Sequence, residues 1–315
     1  MSNGRQVSLV IMAAGLGSRY GGDKQVDGIG PHNEILMEYS ICDALRAGFG
    51  KVVFIVKPEM AETVEGLCGG YLRRKTALDG RPVEVAFACQ DFSSIPDFYT
   101  IPAERSRPFG TVHALLCAES CVQGPCCVIN ADDYYGADAY RTMYRDLNTL
   151  PETGRAAMGG YLLKNTASLH GSVSRGVCTM EDGRLRAIHE TKKIRLCADG
   201  SLRDLTADRL LNPEAVVSMN FWGFMPSVFP ALRRYFEDFL RDLLQARREG
   251  REDLAAECLL PVMVDHLIRT GALEVDVLRS ADRWFGMTYQ EDRALVAGEL
   301  RRLHGEGVYP ESLRT

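Results

Sequence analysis

The chain has 315 residues, of which 46% are hydrophobic and 25% charged, with a formal net charge of −5. These values suit a globular protein with a full core and give no general attraction for nucleic acid or an anionic membrane. No apolar run reaches the roughly 18 residues of a membrane span, and the start of the sequence lacks the order of a secretory leader, so a cytoplasmic location is expected.

The first apolar run, Val7 to Met12, reads as a buried strand and feeds "MAAGLGSRYGGDKQ", Met12 to Gln25. Further strand-like runs lie at 51–56, 83–89 and 126–130, with helix-like stretches between them at about 34–48, 59–74 and 110–121. Strands and helices in alternation, with unbroken apolar strands, predict an α/β fold whose central sheet is mostly parallel and flanked by helices on both faces. Ligands of such sheets bind at the carboxyl ends of strands. The glycine loop follows one such end and "NADDYYG" (130–136) another. The piece between, "DFSSIPDFYTIPAERSRPF" (91–109), is long for a connection and reads as a lid.

After about 155 the pattern changes. "GVCTMEDGRLRAIHE" (176–190) reads as a hairpin turning at Asp182-Gly183, residues 216–225 as a strand, and 227–249 and 252–270 as helices. The cysteines Cys117, Cys121, Cys126 and Cys127 cluster, but their spacing fits no zinc pattern, and the chain's cysteines are expected to be reduced thiols in the core.

Three phosphate-binding readings compete for the glycine loop. A P-loop is spoiled by Asp23, which stands where the lysine belongs, and a dinucleotide fingerprint by Tyr20 in place of its third glycine. The second strand also ends Ile55-Val56-Lys57, with no acid at its tip for a ribose. The third reading uses the whole string: loop amides wrap a triphosphate while Arg19 and Lys24 neutralise it.

That pattern, A-A-G-x-G-x-R followed shortly by a lysine, resembles the nucleotidyltransferases that make sugar nucleotides. The likeness extends in order through Gln90, "FGTVHALLCAE" (109–119), "INADDYYG" (129–136), "RGVCTMEDGRLRAIHETKK" (175–193) and "SMNFWGF" (218–224). It implies the Rossmann-like nucleotide-diphospho-sugar transferase fold with a β-hairpin region and C-terminal helices added. By the same likeness Ala13, Ala14, Gly15, Gly17, Gln90, Gly110 and Thr111 would hold the nucleotide, and Arg19 and Lys24 would be catalytic. Asp132 would bind Mg²⁺, with Asp133 or Asp282 as a second ligand, and Glu190, Lys192 and Asn220 would receive the acceptor. The sequence departs from the family in "DRWFGMTYQED" (282–292), where Gly286 stands in place of an expected second metal aspartate.

The expected organisation is one nucleotidyltransferase domain over 1–315. About 1–155 would serve the NTP, about 156–290 the acceptor, and 291–315 would form a tail. The expected reaction joins an NTP to a phosphorylated acceptor, a sugar 1-phosphate first, and releases pyrophosphate. The partners are then small molecules, with neither nucleic acid nor membrane involved and the oligomeric state open. Two alternatives remain: a cytidylyltransferase acting on phosphocholine or another alcohol phosphate, and a non-catalytic sensor of sugar nucleotides. Tyr134, Tyr135, Trp222 and Phe224 leave room for a choline cation.

Overall fold

A computed structural model describes residues 5–15, 28–168, 170–280, 282–286 and 291–314. Its first half builds as the apolar runs dictate. Strand β1 (Ser8–Met12) is followed by helix α1 (Leu36–Ala47) and β2 (Lys51–Val56). The short helices α2 (Ala61–Val64) and α3 (Gly70–Leu72), joined by a π turn, lead to β3 (Glu84–Cys89). Helix α4 (Thr111–Cys117), β4 (Cys126–Asn130), the short β5 (Asp133–Tyr134) and α5 (Ala137–Leu147) complete this part. Strands β3, β2, β1 and β4 lie side by side and parallel, in register Ile11 to Phe54 and Met12 to Asn130.

Alternate residues of these strands serve opposite faces, so both faces must be covered. Leu9, Ile11, Val52, Phe54, Cys127 and Ile129 enter the core beneath α1 and α5, whereas Val10, Val53, Ile55, Cys126 and Val128 enter the one beneath α4 and the later helices.

The second half contributes β6 (Arg155–Leu162), β7 (Val173–Glu181), β8 (Arg184–Leu196), β9 (Leu202–Asp204), β10 (Arg209–Leu211) and β11 (Val216–Phe224). Helices α6 (Phe229–Arg248) and α7 (Leu260–Arg269) follow, then β12 (Glu274–Arg279), β13 (Phe285–Gly286) and α8 (Asp292–Gly305). Helix α6 buries Phe229, Leu232, Phe236 and Leu240, each contributing on the order of 1.5–3 kcal/mol of transfer free energy. Residues 252–259, expected as the start of a helix, are irregular, and α7 begins at Leu260 behind a Leu259 in extended conformation with Pro261 in its first turn.

The sheet is mixed, which corrects the expectation of a mostly parallel one. Its order is β10-β9-β8-β12-β6-β11-β4-β1-β2-β3, with β7 lying against β11 and β8. Beyond β4, among the described residues, only β6 and β12 pair in parallel. Hairpins account for part of the rest: β7 and β8 turn at Asp182-Gly183, both with positive φ, as a tight turn between antiparallel strands requires. Strand β11 runs antiparallel to both β4 and β6, with a shift of register between Ser218 and Trp222. In that bulge Asn220 sits at φ 57°, a left-handed conformation that asparagine tolerates better than most residues.

The last segment folds back on the first half. The Tyr309 hydroxyl donates to Asp43 Oδ2 at 2.7 Å and lies 2.7 Å from the Tyr134 hydroxyl. Arg314 grips the buried Glu38 carboxylate at 2.6 and 2.9 Å, His304 Nε2 meets the Tyr39 hydroxyl at 3.0 Å, and Arg293 donates to Gly28 O at 2.9 Å.

Candidate active site

Parallel pairing puts the ends of β1, β2, β3 and β4 on one edge of the sheet. Ala13 donates its N–H to Ile55 O at 2.8 Å, and Gln90 its N–H to Val56 O at 2.8 Å. Asn130 stands opposite Met12. Ala13, Ala14, Gly15, Gln90 and the 130–133 corner therefore share this edge, the first two and Gln90 being buried. Gly17, Arg19 and Lys24 lie outside the described residues.

The corner after β4 is tightly held. Asn130 Nδ2 donates to Asp133 Oδ2 at 2.8 Å, and the Tyr135 hydroxyl lies 3.2 Å from the same oxygen and 2.9 Å from Met219 O. Asn220 reaches across from its bulge to Asn130 Oδ1 at 3.4 Å, and Trp222 Nε1 supports Asn220 Oδ1 at 3.4 Å. Asp133 is buried and Asp132 half-buried. Burial, with the neighbouring Asp132 charge, pushes the Asp133 carboxyl well above its ordinary range, against the pull of Asn130, Arg175 and Tyr135. A cation beside these two carboxylates would reverse that penalty, and their all-oxygen chemistry fits a hard ion such as Mg²⁺. Among the described residues no group of three or more acids, histidines or cysteines converges on a metal position.

Of the proposed second ligands, the two aspartates differ in employment. Asp282 Oδ2 accepts the N–H of Asp138 and, at 3.2 Å, that of Ala139, so it caps α5. Gly136 permits this approach, since a Cβ there would stand 2.4 Å from the Asp282 carboxylate. Gly286 pairs with Asp133 across the β5–β13 ladder, and a Cβ on it would stand 2.5 Å from Asp133 Oδ1. The position at which the family resemblance implies a second aspartate is thus pressed against Asp133 itself.

Of the acceptor candidates, Glu190 lies in a row of paired residues that crosses the sheet, while Asn220 stands in the β11 bulge against Asn130. Ser218 of β11 pairs with Gly176 of β7, which pairs with Glu190 of β8. The carboxyl of Glu190 is raised by desolvation, with Lys192 and Arg175 pulling it down. Lys192 is exposed on the same strand. Sequence reasoning passed over three residues here. Arg175 is buried, donates to Thr166 O at 2.6 Å and packs its guanidinium over Trp284 at 5.0 Å, so one fixed positive charge serves both Asp133 and Glu190. Ser218 Oγ and Trp284 Nε1 are buried polar atoms without a partner among the described residues. Arg175 opens the hairpin motif, but only the fold shows that it is buried.

Two nucleotide candidates are engaged within the protein. Thr111 Oγ1 accepts the N–H of Leu260 at 2.8 Å, and Gly110 O accepts the Gln90 amide at 3.1 Å. The aromatic residues considered for a choline cation have little free face: Trp222, Phe224, Tyr134 and Tyr135 are at most 5% exposed, and Tyr134 stacks on Phe285 at 4.2 Å.

No family model matches the chain, and no curated protein does. Solved structures do. An inositol-1-phosphate CTP transferase from T. maritima superposes with TM-score 0.55 and 11% identity over 94% of this chain and 95% of its own. A UDP-glucose pyrophosphorylase complexed with UDP-glucose gives 0.58 and 13%, over 94% and 98%. A protein from Bacillus anthracis described as a glucose-1-phosphate thymidylyltransferase, in complex with a sucrose, gives 0.59 and 14%, over 98% of each chain. The chain has the fold of these nucleotidyltransferases along nearly its whole length. No helix among the described residues is long and apolar enough to cross a membrane.

Proposed function

We propose that the chain is a nucleotidyltransferase that joins an NTP to a sugar 1-phosphate and releases pyrophosphate. The observation that carries this reading is the pair Asp132 and Asp133 on the sheet edge where the glycine loop begins, with Asp133 held by Asn130 and Asn130 in turn by Asn220. In the reaction an oxygen of the acceptor phosphate attacks the α-phosphorus. A new P–O bond forms as the bond to the β-phosphate oxygen breaks, and pyrophosphate leaves with the electron pair. Such a transfer is promoted chiefly by alignment and by charge set where charge develops.

Residues Ala13 to Gly17 would surround the phosphates, Arg19 would steady the leaving pyrophosphate and Lys24 the α-phosphoryl oxygens. Asp132, with Asp133 beside it, would hold Mg²⁺. Bound there, the ion supplies positive charge to the phosphoryl oxygens. Asp282 is already committed to capping α5, which favours Asp133 as the second carboxylate. On the acceptor side, Glu190 and the unpartnered Ser218 Oγ suit sugar hydroxyls, and Lys192 suits the acceptor phosphate. The buried aromatic side chains favour a sugar over choline. The organisation follows: residues about 1–155 serve the NTP, about 156–290 the acceptor.

The test is magnesium-dependent pyrophosphate release from each NTP with a panel of sugar 1-phosphates, phosphocholine and inositol 1-phosphate, with Lys24→Ala as the blank. Turnover with a sugar 1-phosphate that the variant loses is the expected result. Nucleotide binding by calorimetry without turnover on any acceptor would instead mark a sensor.

A further inference from the structure

Asp133 lies on the smaller of two sheets. Strands β5 and β13 pair over two residues each, Tyr134 with Phe285 and Asp133 with Gly286, and join no other strand among the described residues. A ladder this short is marginal by itself, so side chains must hold it in place. Neighbouring residues of a strand face opposite ways. Asp133 turns to Asn130 and Tyr135, whereas Tyr134 enters a third apolar core, apart from the two that flank the main sheet.

That core is built around the C-terminal segment. Val296 and Leu300 of α8, with Tyr309 beyond it, join Ile29, Tyr39 and Tyr134 there. The Phe285 ring lies parallel to that of Tyr134 at 4.2 Å, and Tyr309 meets Tyr39 edge-on at 4.9 Å. Tyr134 and Tyr309 are 5% and 3% exposed, and a buried phenol needs a polar partner. The Tyr309 hydroxyl spends its one proton on Asp43 Oδ2, so its oxygen receives the proton of the Tyr134 hydroxyl. The chain from Tyr134 through Tyr309 to Asp43 thus has one consistent direction. It runs from the residue beside Asp133 to the middle of α1.

We propose that Tyr309 is a positioning residue for the reaction: through Tyr134 it holds the backbone that carries Asp133, and the C-terminal segment thereby sets where the carboxylate corner stands. This rests on the nucleotidyl-transfer reading. Phosphoryl transfer depends on alignment, so a corner released from behind loses rate while the acceptor contacts on the arch stay as they were. A segment that only added stability would leave the rate of each folded molecule unchanged.

The full chain serves for every test. Tyr309→Phe keeps the ring and removes only the hydroxyl. Assays use the fastest pair from the panel of NTPs with sugar 1-phosphates, phosphocholine and inositol 1-phosphate. In the variant, kcat for pyrophosphate release should fall by about tenfold, with the acceptor KM within about twofold of the wild type. Tyr134→Phe should lose as much, and the double variant should stay near the same tenfold loss rather than the roughly hundredfold of two independent ones. With neither substrate nor metal present, amide exchange at 133–134 and 285–286 should quicken by about fivefold in either variant and stay unchanged in β1 and β2. An unchanged kcat, a loss confined to the acceptor KM, or additive losses in the double variant overturns the proposal. So does a lowered thermal midpoint with exchange at the ladder unaltered. The wild type gives a check that needs no variant: the ladder amides should open together with those of α8, and a ladder that stays closed while α8 exchanges would sink the idea. If the wild type releases no pyrophosphate with any pair, the nucleotidyl-transfer reading falls and this one with it. If the wild type turns over and both variants match it, this one falls alone.

Discussion

The corner after β4 and the arch of β7 and β8 both carry acidic residues of the proposed site, yet they are built differently. Asp133 is buried and held by Asn130 and Tyr135, with Asn220 and Arg175 behind them. Glu190 and Lys192 stand at exposed positions of a long strand. Fixed carboxylates suit a charge that must be in place before the reaction begins, because preorganised groups need not reorient as charge develops. Exposed ones suit a ligand that must enter and leave. The corner should therefore govern rate, and the arch affinity for the acceptor.

The largest expected effect is at the corner. Asp132→Ala should lower kcat for pyrophosphate release by about a hundredfold or more and leave the thermal midpoint nearly unchanged. A normal kcat would remove the corner from the chemistry. On the arch, Lys192→Ala should raise the acceptor KM by about tenfold with a much smaller change in kcat, the pattern of a binding contact to a charged group. Equal losses in kcat and kcat/KM would erase the distinction between the two regions.

The corner's rigidity is open to attack from behind. Tyr309→Phe removes the hydroxyl that joins Tyr134 to Asp43 and should cost about 1–3 kcal/mol in denaturant unfolding. Asp43 itself gives a pH signature. Burial pushes its carboxyl up to about 7, so between the ordinary carboxylate range and pH 7 the folded protein holds a proton that the unfolded chain has lost. Its contribution to stability is full in acid and is lost as pH rises through about 7. Asp43→Asn stays neutral, so its thermal midpoint should gain on the wild type as pH climbs from 5 to 9, and parallel curves would contradict this. The smallest effect belongs to the opposite edge of the sheet, where Arg5→Ala breaks an exposed ion pair with Glu152 at 2.6 Å. It should cost under about 1 kcal/mol and leave turnover untouched.

Much of the first half was legible in the sequence because β1, β2 and β4 are continuous apolar runs with helix-like stretches between them. The hairpin was legible from Asp182-Gly183. What stayed hidden was the identity of strands whose composition answers to close packing. Strand β6 reads "RAAMGGYL" because Gly159 and Gly160 lie against Phe221, Val216 and Val277, and small residues give no strand signal. With β6 unseen, nothing in the sequence showed that β11 is inserted antiparallel between β4 and β6 and so ends the parallel run. For the site, the motifs named Asp132, Asp133, Glu190 and Asn220, but the arrangement of Arg175, Ser218 and Trp284 depends on pairings between distant strands. The commitment of Asp282 to α5 likewise joins residues 138 and 282, a link that no local pattern carries.

The ties made by the final segment have a temporal meaning. Residues Arg293, His304, Tyr309 and Arg314 fasten Gly28, Tyr39, Asp43 and Glu38, all made some 260 residues earlier or more. A ribosome synthesising this chain exposes α1 and the exit of the glycine loop long before their clasp exists. A nascent chain could assemble its first strands and still lack the brace for its own reaction centre. The protein would then acquire activity late and all at once, and chains stalled before α8 would be inert rather than partly competent.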